Sequence, residues 1–261
     1  MKIVGLRVDI DAVRDAETLP ALLELLKKYE VKATFFAATG YDRAGMNIIK
    51  YIGKPRKLIE KMPLKRYGLK NLLLSVVHPA QLQEHPNLKR IIEDEHELGL
   101  HGYEHHEWAN NLNKSSQSEI RKKIETGCKL FREAFKSKPT SFASPGFKAT
   151  ANFLLAIEGF KFKYSSDFLC GDFLYGDFVF EKPFYPVVSG RELSTLQVPV
   201  TLDFEDVQFI DLFRKKLNDG NLLTFYLHPH ATLFKNKIFE QVLETYGTKF
   251  RTFAEVAEEW E

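Results

Sequence analysis

Short apolar runs of strand character alternate with segments of helical period along most of the chain, and this alternation restricts the fold more than any other feature. Lys2 to Val8, Ala33 to Ala37, Glu97 to His101, Thr140 to Ser144, Phe162 to Ser165, Thr195 to Pro199 and Leu222 to His228 read as strands. Between them, Thr18 to Glu30 carries Leu19, Leu22, Leu23 and Leu26 on one helical face. Asn87 to Glu95, Thr150 to Glu158, Glu205 to Leu217 and Phe234 to Tyr246 read as further helices. Ser116-x-x-Glu119 and Thr252-x-x-Glu255 match the capping box that opens a helix. Strands and helices in turn imply βαβ units and a parallel sheet. Seven such units in 261 residues favour a closed or nearly closed barrel over a small doubly wound sheet, with functional residues at the carboxyl ends of the strands. One α/β domain spanning 1–261 is expected.

One stretch breaks the rhythm, from about 41 to 85. Between Tyr41 and Leu72 stand nine bases (Arg43, Lys50, Lys54, Arg56, Lys57, Lys61, Lys65, Arg66 and Lys70) and two acids, Asp42 and Glu60, a net +7. The chain as a whole carries only +2, so the remainder is −5. A near-neutral total argues against a dedicated nucleic-acid binder. Met46, Ile49, Ile52, Leu58, Ile59 and Met62 recur through the insert near helical spacing. A basic amphipathic segment of this kind can meet an anionic membrane surface or an anionic ligand, or simply be a solvated hairpin over the barrel mouth. No apolar run approaches the length of a membrane span. The start lacks the apolar core of a secretory signal, and Cys128 and Cys170 form no paired motif. Both observations lead us to expect a cytoplasmic protein.

Four strand ends carry polar residues that a core strand does not need. Asp9 and Asp11, at i and i+2, share one face. Like charges so close raise one pKa unless a cation lies between them, which points to a metal or to a carboxylate base; a turn cap is the plainer alternative. Leu100-His101-Gly102-Tyr103-Glu104-His105-His106 places two histidines four apart. With one carboxylate they make a three-ligand site of the catalytic type, and His106 is the bystander. The same residues fit H-x-x-E-H, a metalloprotease pattern that requires a helix, and Gly99 and Gly102 argue against one there. Ser144-Pro145-Gly146 forms a tight loop whose backbone N–H groups could face an oxyanion, or be an ordinary turn. His228, at the end of the last strand, is a general acid or a core histidine.

In this order, the four features resemble the polysaccharide deacetylase, or NodB-like, family (carbohydrate esterase family 4), whose fold is a distorted seven-stranded (β/α) barrel. Asp9-Ile10-Asp11 departs from the family's usual adjacent Asp-Asp and resembles its cytoplasmic branch, which includes the formamido-arabinose–phosphoundecaprenol deformylases. Val4 to Asp11, Gly99 to Trp108, Tyr164 to Asp167 and Gln197 to Leu202 carry that likeness, together with the basic insert. The resemblance implies that Asp9 is the general base and that Asp11, His101 and His105 hold a divalent metal. It implies that His228 is the general acid and Asp167 the acid that orients it, and that Tyr103, Trp108, Ser144 and Lys148 contribute to substrate binding. An Arg that pairs with the base in most deacetylases is replaced here by Ala143, and Lys148 is expected to take its part.

The expected activity is metal-dependent hydrolysis of an N-formyl or N-acetyl group on an amino sugar, carried on a polyprenyl phosphate. A soluble oligosaccharide or a non-sugar amide such as allantoin is the alternative substrate, and a non-catalytic sugar-binding relative the alternative class. Zinc suits the ligand set, and Fe, Co, Ni and Mn also fit it.

Overall fold

A computed structural model describes residues 2–46, 68–170 and 181–260. Its strands are β1 (Ile3–Ile10), β2 (Thr34–Thr39), β3 (Glu97–Tyr103), β4 (Ser141–Phe142), β5 (Tyr164–Ser165), β6 (Val187–Val188), β7 (Arg191–Glu192), β8 (Leu196–Gln197), β9 (Leu202–Asp203), β10 (Leu222–Leu227) and β11 (Phe250–Arg251). Its helices are α1 (Val13–Lys28), α2 (Leu69–Val77), α3 (Asn87–Glu93), α4 (His105–Asn111), α5 (Gln117–Phe135), α6 (Ala151–Ile157), α7 (Phe209–Asp219), α8 (Pro229–Tyr246) and α9 (Phe253–Glu258).

The main sheet is parallel and ordered β8-β5-β4-β3-β2-β1-β10-β9, with β11 also paired to β1. All seven strands expected from the sequence are in it; β9 and β11 are two-residue additions. The sheet curls into a distorted half-barrel wrapped by helices, as a (β/α) barrel requires. Along β1 the side chains alternate between two cores. Val4, Leu6, Val8 and Ile10 face the outer helices, packing in one cluster with Leu19, Leu22, Leu23 and Leu26 of α1. The barrel interior is a second cluster of Phe36, Phe147, Tyr164, Val198 and Val200. Helix α9 fills its lower end with Phe253, Val256 and Ala257. Gly5 makes room for this plug: a Cβ there would lie 2.9 Å from the Phe253 ring.

Helix α1 begins five residues before the expected start. Asp42 Oδ2, from a distant loop, accepts from Val13 N at 2.8 Å, and Asp15 caps the same turn from within. Pro20 lies inside this helix. It has no N–H for the Ala16 carbonyl, and Asn87 Nδ2 donates to that oxygen instead at 3.0 Å. The helix expected from Glu205 starts at Phe209, because Asp203 Oδ1 and Asp206 Oδ1 turn the chain by accepting from Glu205 N and Gln208 N. The helix expected from Phe234 starts at Pro229, a favoured first position. Both capping boxes are formed, at Ser116–Glu119 and Thr252–Glu255.

Of the basic insert, Tyr41 to Met46 and the segment from Gly68 onward are described. The bases from Lys50 to Arg66, and the apolar positions from Ile49 to Met62, lie outside the described residues. Helix α2 buries only Leu72 and Ser75 and exposes Leu69, Leu73, Leu74, Val76 and Val77. Among the described residues no helix is long and apolar enough to cross a membrane.

Candidate active site

The carboxyl ends of β1, β3 and β10 bring Asp9, Asp11, His101, His105 and His228 together, where a parallel barrel places its chemistry. Gly102, next to last in β3, takes φ +70°, a conformation that favours glycine, and Tyr103 closes the strand. The chain then enters α4 at once, so His105 is its first residue and turns back toward His101, with ring centroids 5.2 Å apart.

Three imidazoles converge on Asp11. His101 Nε2 lies 3.1 Å from Asp11 Oδ1, and His105 Nε2 and His228 Nε2 each lie 3.2 Å from Oδ2. Potential ligand atoms of Asp11, His101 and His105 all fall within 4.8 Å of one another. His101 Nδ1 sits 2.9 Å from the Ala143 carbonyl. A carbonyl only accepts, so Nδ1 carries a proton and Nε2 is the nitrogen turned toward the carboxylate. That arrangement, held by a backbone oxygen, is the one a metal ligand needs. One carboxylate and two imidazoles therefore fit a divalent metal.

Asp9 stands beside this group, its Oδ2 3.7 Å from His101 Nε2. Arg7, fully buried, grips it with both ends of the guanidinium: Nε to Oδ1 at 2.6 Å and Nη2 to Oδ2 at 2.7 Å. Arg7 Nη1 donates to Ser166 O and Oγ, and the guanidinium rests on the Phe147 ring at 4.3 Å. Burial pushes the Asp9 carboxyl up, but the Arg7 charge, with His101 and the Arg7 hydrogen bonds, wins and holds it below the usual carboxylate range.

Arg7, not Lys148, is thus the cation on Asp9. The sequence signal for it was a charge inside a run otherwise fit for burial on both faces. Lys148 is partly buried, and its carbonyl accepts from Ser144 Oγ. The acid on His228 is likewise not Asp167 but Glu205, whose Oε1 lies 2.7 Å from His228 Nδ1. Asp167 instead accepts from Ser144 N at 2.8 Å and Ser165 Oγ at 2.6 Å. Its burial raises its pKa to about 6, against the pull of Ser165, Gln197, Ser144 and Arg7. Of the backbone N–H groups in that loop, the one on Ser144 is thus engaged by Asp167. Trp108 does not line an open sugar site: it is fully buried, its indole N–H on Ser144 Oγ at 2.9 Å and its ring against Phe142 and Phe153. Tyr103 is partly buried beside Glu104, its hydroxyl pKa raised by burial and by that carboxylate.

A cavity of about 230 Å³ opens on Asp11 and His105 and is lined further by Tyr41, Arg43, His106 and Asn110. The Arg43 side chain is half exposed, 3.8 Å from Glu104. His106, a bystander in the metal reading, thus lines the approach to the site.

The profile of the polysaccharide deacetylase family matches residues 2–165. A probable 4-deoxy-4-formamido-L-arabinose-phosphoundecaprenol deformylase of Wigglesworthia glossinidia brevipalpis is 31% identical over 245 residues, 89% of this chain and 78% of that one. A Mycobacterium smegmatis structure described as a polysaccharide deacetylase superposes with a TM-score of 0.61 at 17% identity, covering 98% of this chain and 88% of its own. The Puue allantoinase structure gives 0.62 at 12% identity, over 98% and 89%. At such identities these two structures share the fold.

Proposed function

Because this chain belongs to the polysaccharide deacetylase family, we propose that it removes a formyl or acetyl group from the nitrogen of an amino sugar carried on a polyprenyl phosphate. Its reaction is hydrolysis of an amide carbon–nitrogen bond. The observation that carries the reading is the convergence of three imidazole Nε2 atoms on Asp11, next to an Asp9 kept ionised by Arg7.

Asp11, His101 and His105 would hold the divalent metal on which members of this family generally depend. When bound, such an ion supplies a Lewis acid for the acyl carbonyl and lowers the pKa of a water. Asp9 takes the proton of the attacking water. Arg7 fixes the plane of that carboxylate and keeps it charged at neutral pH, at some cost in basicity. His228 gives the proton from Nε2 to the departing amine, while Glu205 at Nδ1 orients the ring and stabilises its cation. Changing Glu205 to Gln should lower kcat about tenfold or more, a part of the 10²–10⁴-fold that a positioned acid supplies. Metal content should not change, and a kcat equal to wild type removes Glu205 from this role.

Arg7→Met leaves burial and Asp11 to push the Asp9 carboxyl up, so the acidic limb of kcat/KM should move to higher pH. Asp9 is a depressed acid. Its pairing stabilises the fold above the ordinary carboxylate pKa and is lost as pH falls through the folded value. Removing Arg7 strands the charge and should cost about 3–5 kcal/mol in urea unfolding at neutral pH. An unshifted limb with full stability contradicts the pairing.

The likeness to the Wigglesworthia protein and the Arg43 beside the cavity support an anionic, lipid-linked substrate. The exposed aliphatic face of α2, which follows most of the bases that give Tyr41 to Leu72 a net +7, supports contact with an anionic membrane. Wild type should float with vesicles rich in phosphatidylglycerol and not with neutral ones. Burying a Leu or Val is worth about 1.5–3 kcal/mol, so changing Leu73 and Val77 together to Gln should cut binding more than tenfold. A wild type that stays at the bottom of the gradient removes the membrane part of the reading. The deciding experiment is mass spectrometry of lipid-linked and soluble N-acyl amino sugars after incubation with metal-loaded protein. Loss of 28 or 42 mass units, about one formyl or acetyl replaced by hydrogen, from the lipid-linked sugar alone supports it. Turnover of water-soluble sugars alone shifts the substrate to the soluble class.

A further inference from the structure

Behind the site lies a second carboxylate–imidazole pair that the chemistry above does not use. We infer that Asp15 and His230 are positioning residues, a buried strut that holds Asp11 and His228 at their spacing; this inference rests on the metal site proposed above. Asp15 is fully buried and His230 is 4% exposed. Asp15 Oδ2 accepts from the backbone N–H of Asp11 at 3.1 Å and of Ala12 at 3.3 Å. Its other oxygen meets His230 Nδ1 at 2.8 Å. His230 follows His228 by two residues, and the two rings stack with centroids 5.6 Å apart and 26° between planes.

The strut sits where the sheet stops helping. Strands β1 and β10 are in register from Ile3↔Leu222 to Val8↔Leu227. Asp11 and His228 both lie past the last of these pairs, so no pairing between β1 and β10 fixes their separation. The Asp15 carboxylate joins the two segments there, one oxygen on the peptide that carries Asp11 and the other on the helix turn that follows His228. Apolar residues of similar volume often stabilise a fold as well as a buried acid–base pair does. A pair placed between a candidate ligand and a candidate acid is suited to orientation, as outer partners of metal ligands are.

Two substitutions separate positioning from mere packing. His230→Leu keeps the volume and removes the donor; His230→Asn returns an amide N–H close to the Nδ1 position. Apo protein is titrated with Zn²⁺ against a chelating dye, kcat and KM are measured on the metal-loaded protein, and apo thermal unfolding monitors the fold. Loss of such a partner costs about 10–100-fold in metal affinity, and His230→Leu should show that loss, with lower kcat and unchanged KM. His230→Asn should recover most of both. Wild-type affinity and kcat in His230→Leu overturn the inference, as does a loss that His230→Asn leaves in place and that follows the apo unfolding temperature. Should His230→Leu not fold, Asp15→Asn decides by the same titration, and undiminished affinity there overturns it. A wild type that takes up no Zn²⁺ overturns instead the metal site on which the strut rests, and is distinguished by wild type and variants behaving alike without metal.

Discussion

Asp9→Asn protein will keep its metal and lose about 10²–10⁴-fold in turnover, the contribution of a positioned base. Asparagine has the shape of the carboxylate and still offers one oxygen to Arg7, but it cannot take a proton from water. Asp11, His101 and His105 remain in place, so elemental analysis should report the wild-type metal content while single-turnover hydrolysis slows. The amide nitrogen faces Arg7 where an oxygen stood, 2.6–2.7 Å from the guanidinium, and some loss of stability should accompany the loss of rate. Turnover close to wild type would reject Asp9 as the base, and joint loss of metal and rate would make it a ligand.

His101→Ala is the second large effect. It removes the imidazole that meets Asp11 Oδ1 at 3.1 Å and leaves the buried Ala143 carbonyl without its donor. Metal should fall to background by elemental analysis, and hydrolysis should fall with it, even with excess metal at ordinary concentrations. Full occupancy in this variant overturns the ligand set. The two variants are a contrast: one separates chemistry from metal, the other removes both.

The sequence disclosed those elements whose signal is local. Seven strands were legible because a parallel strand covered on both faces is a continuous apolar run, and two helix starts because a capping box is four residues long. The convergence of Asp11, His101 and His105 was expected from the family resemblance, beside the local signal of two histidines four apart; His105 itself opens α4. Contacts made across the fold were not legible. The start of α1 depends on Asp42, a residue 29 positions away. Glu205 reads as the beginning of a helix, yet two Asx turns hold it outside α7, where it meets His228. The base's cation was sought after the fourth strand because the resemblance places it there; in this chain it lies on β1 itself, two residues before the carboxylate it holds. Asp167 occupies the expected position, but its carboxylate faces the Ser144 peptide.

Strand β1 takes its partners from elements far apart in sequence: β10 along one side, and on the other β2 beside Arg7 to Ile10 and β11 beside Val4 and Gly5. Of the strands in this sheet β1 is made first, so its edge toward β10 stays bare until the elements between them have been made. Contacts so distant in sequence close slowly, and until they close the nascent chain presents an apolar, unpaired edge to its surroundings. Arg7 and Asp9 lie on that strand as an internal salt pair two residues apart, a charge that interrupts the sticky run while it is bare. His228 directly follows the last long strand to arrive, so it meets Asp11 only as that edge is sealed.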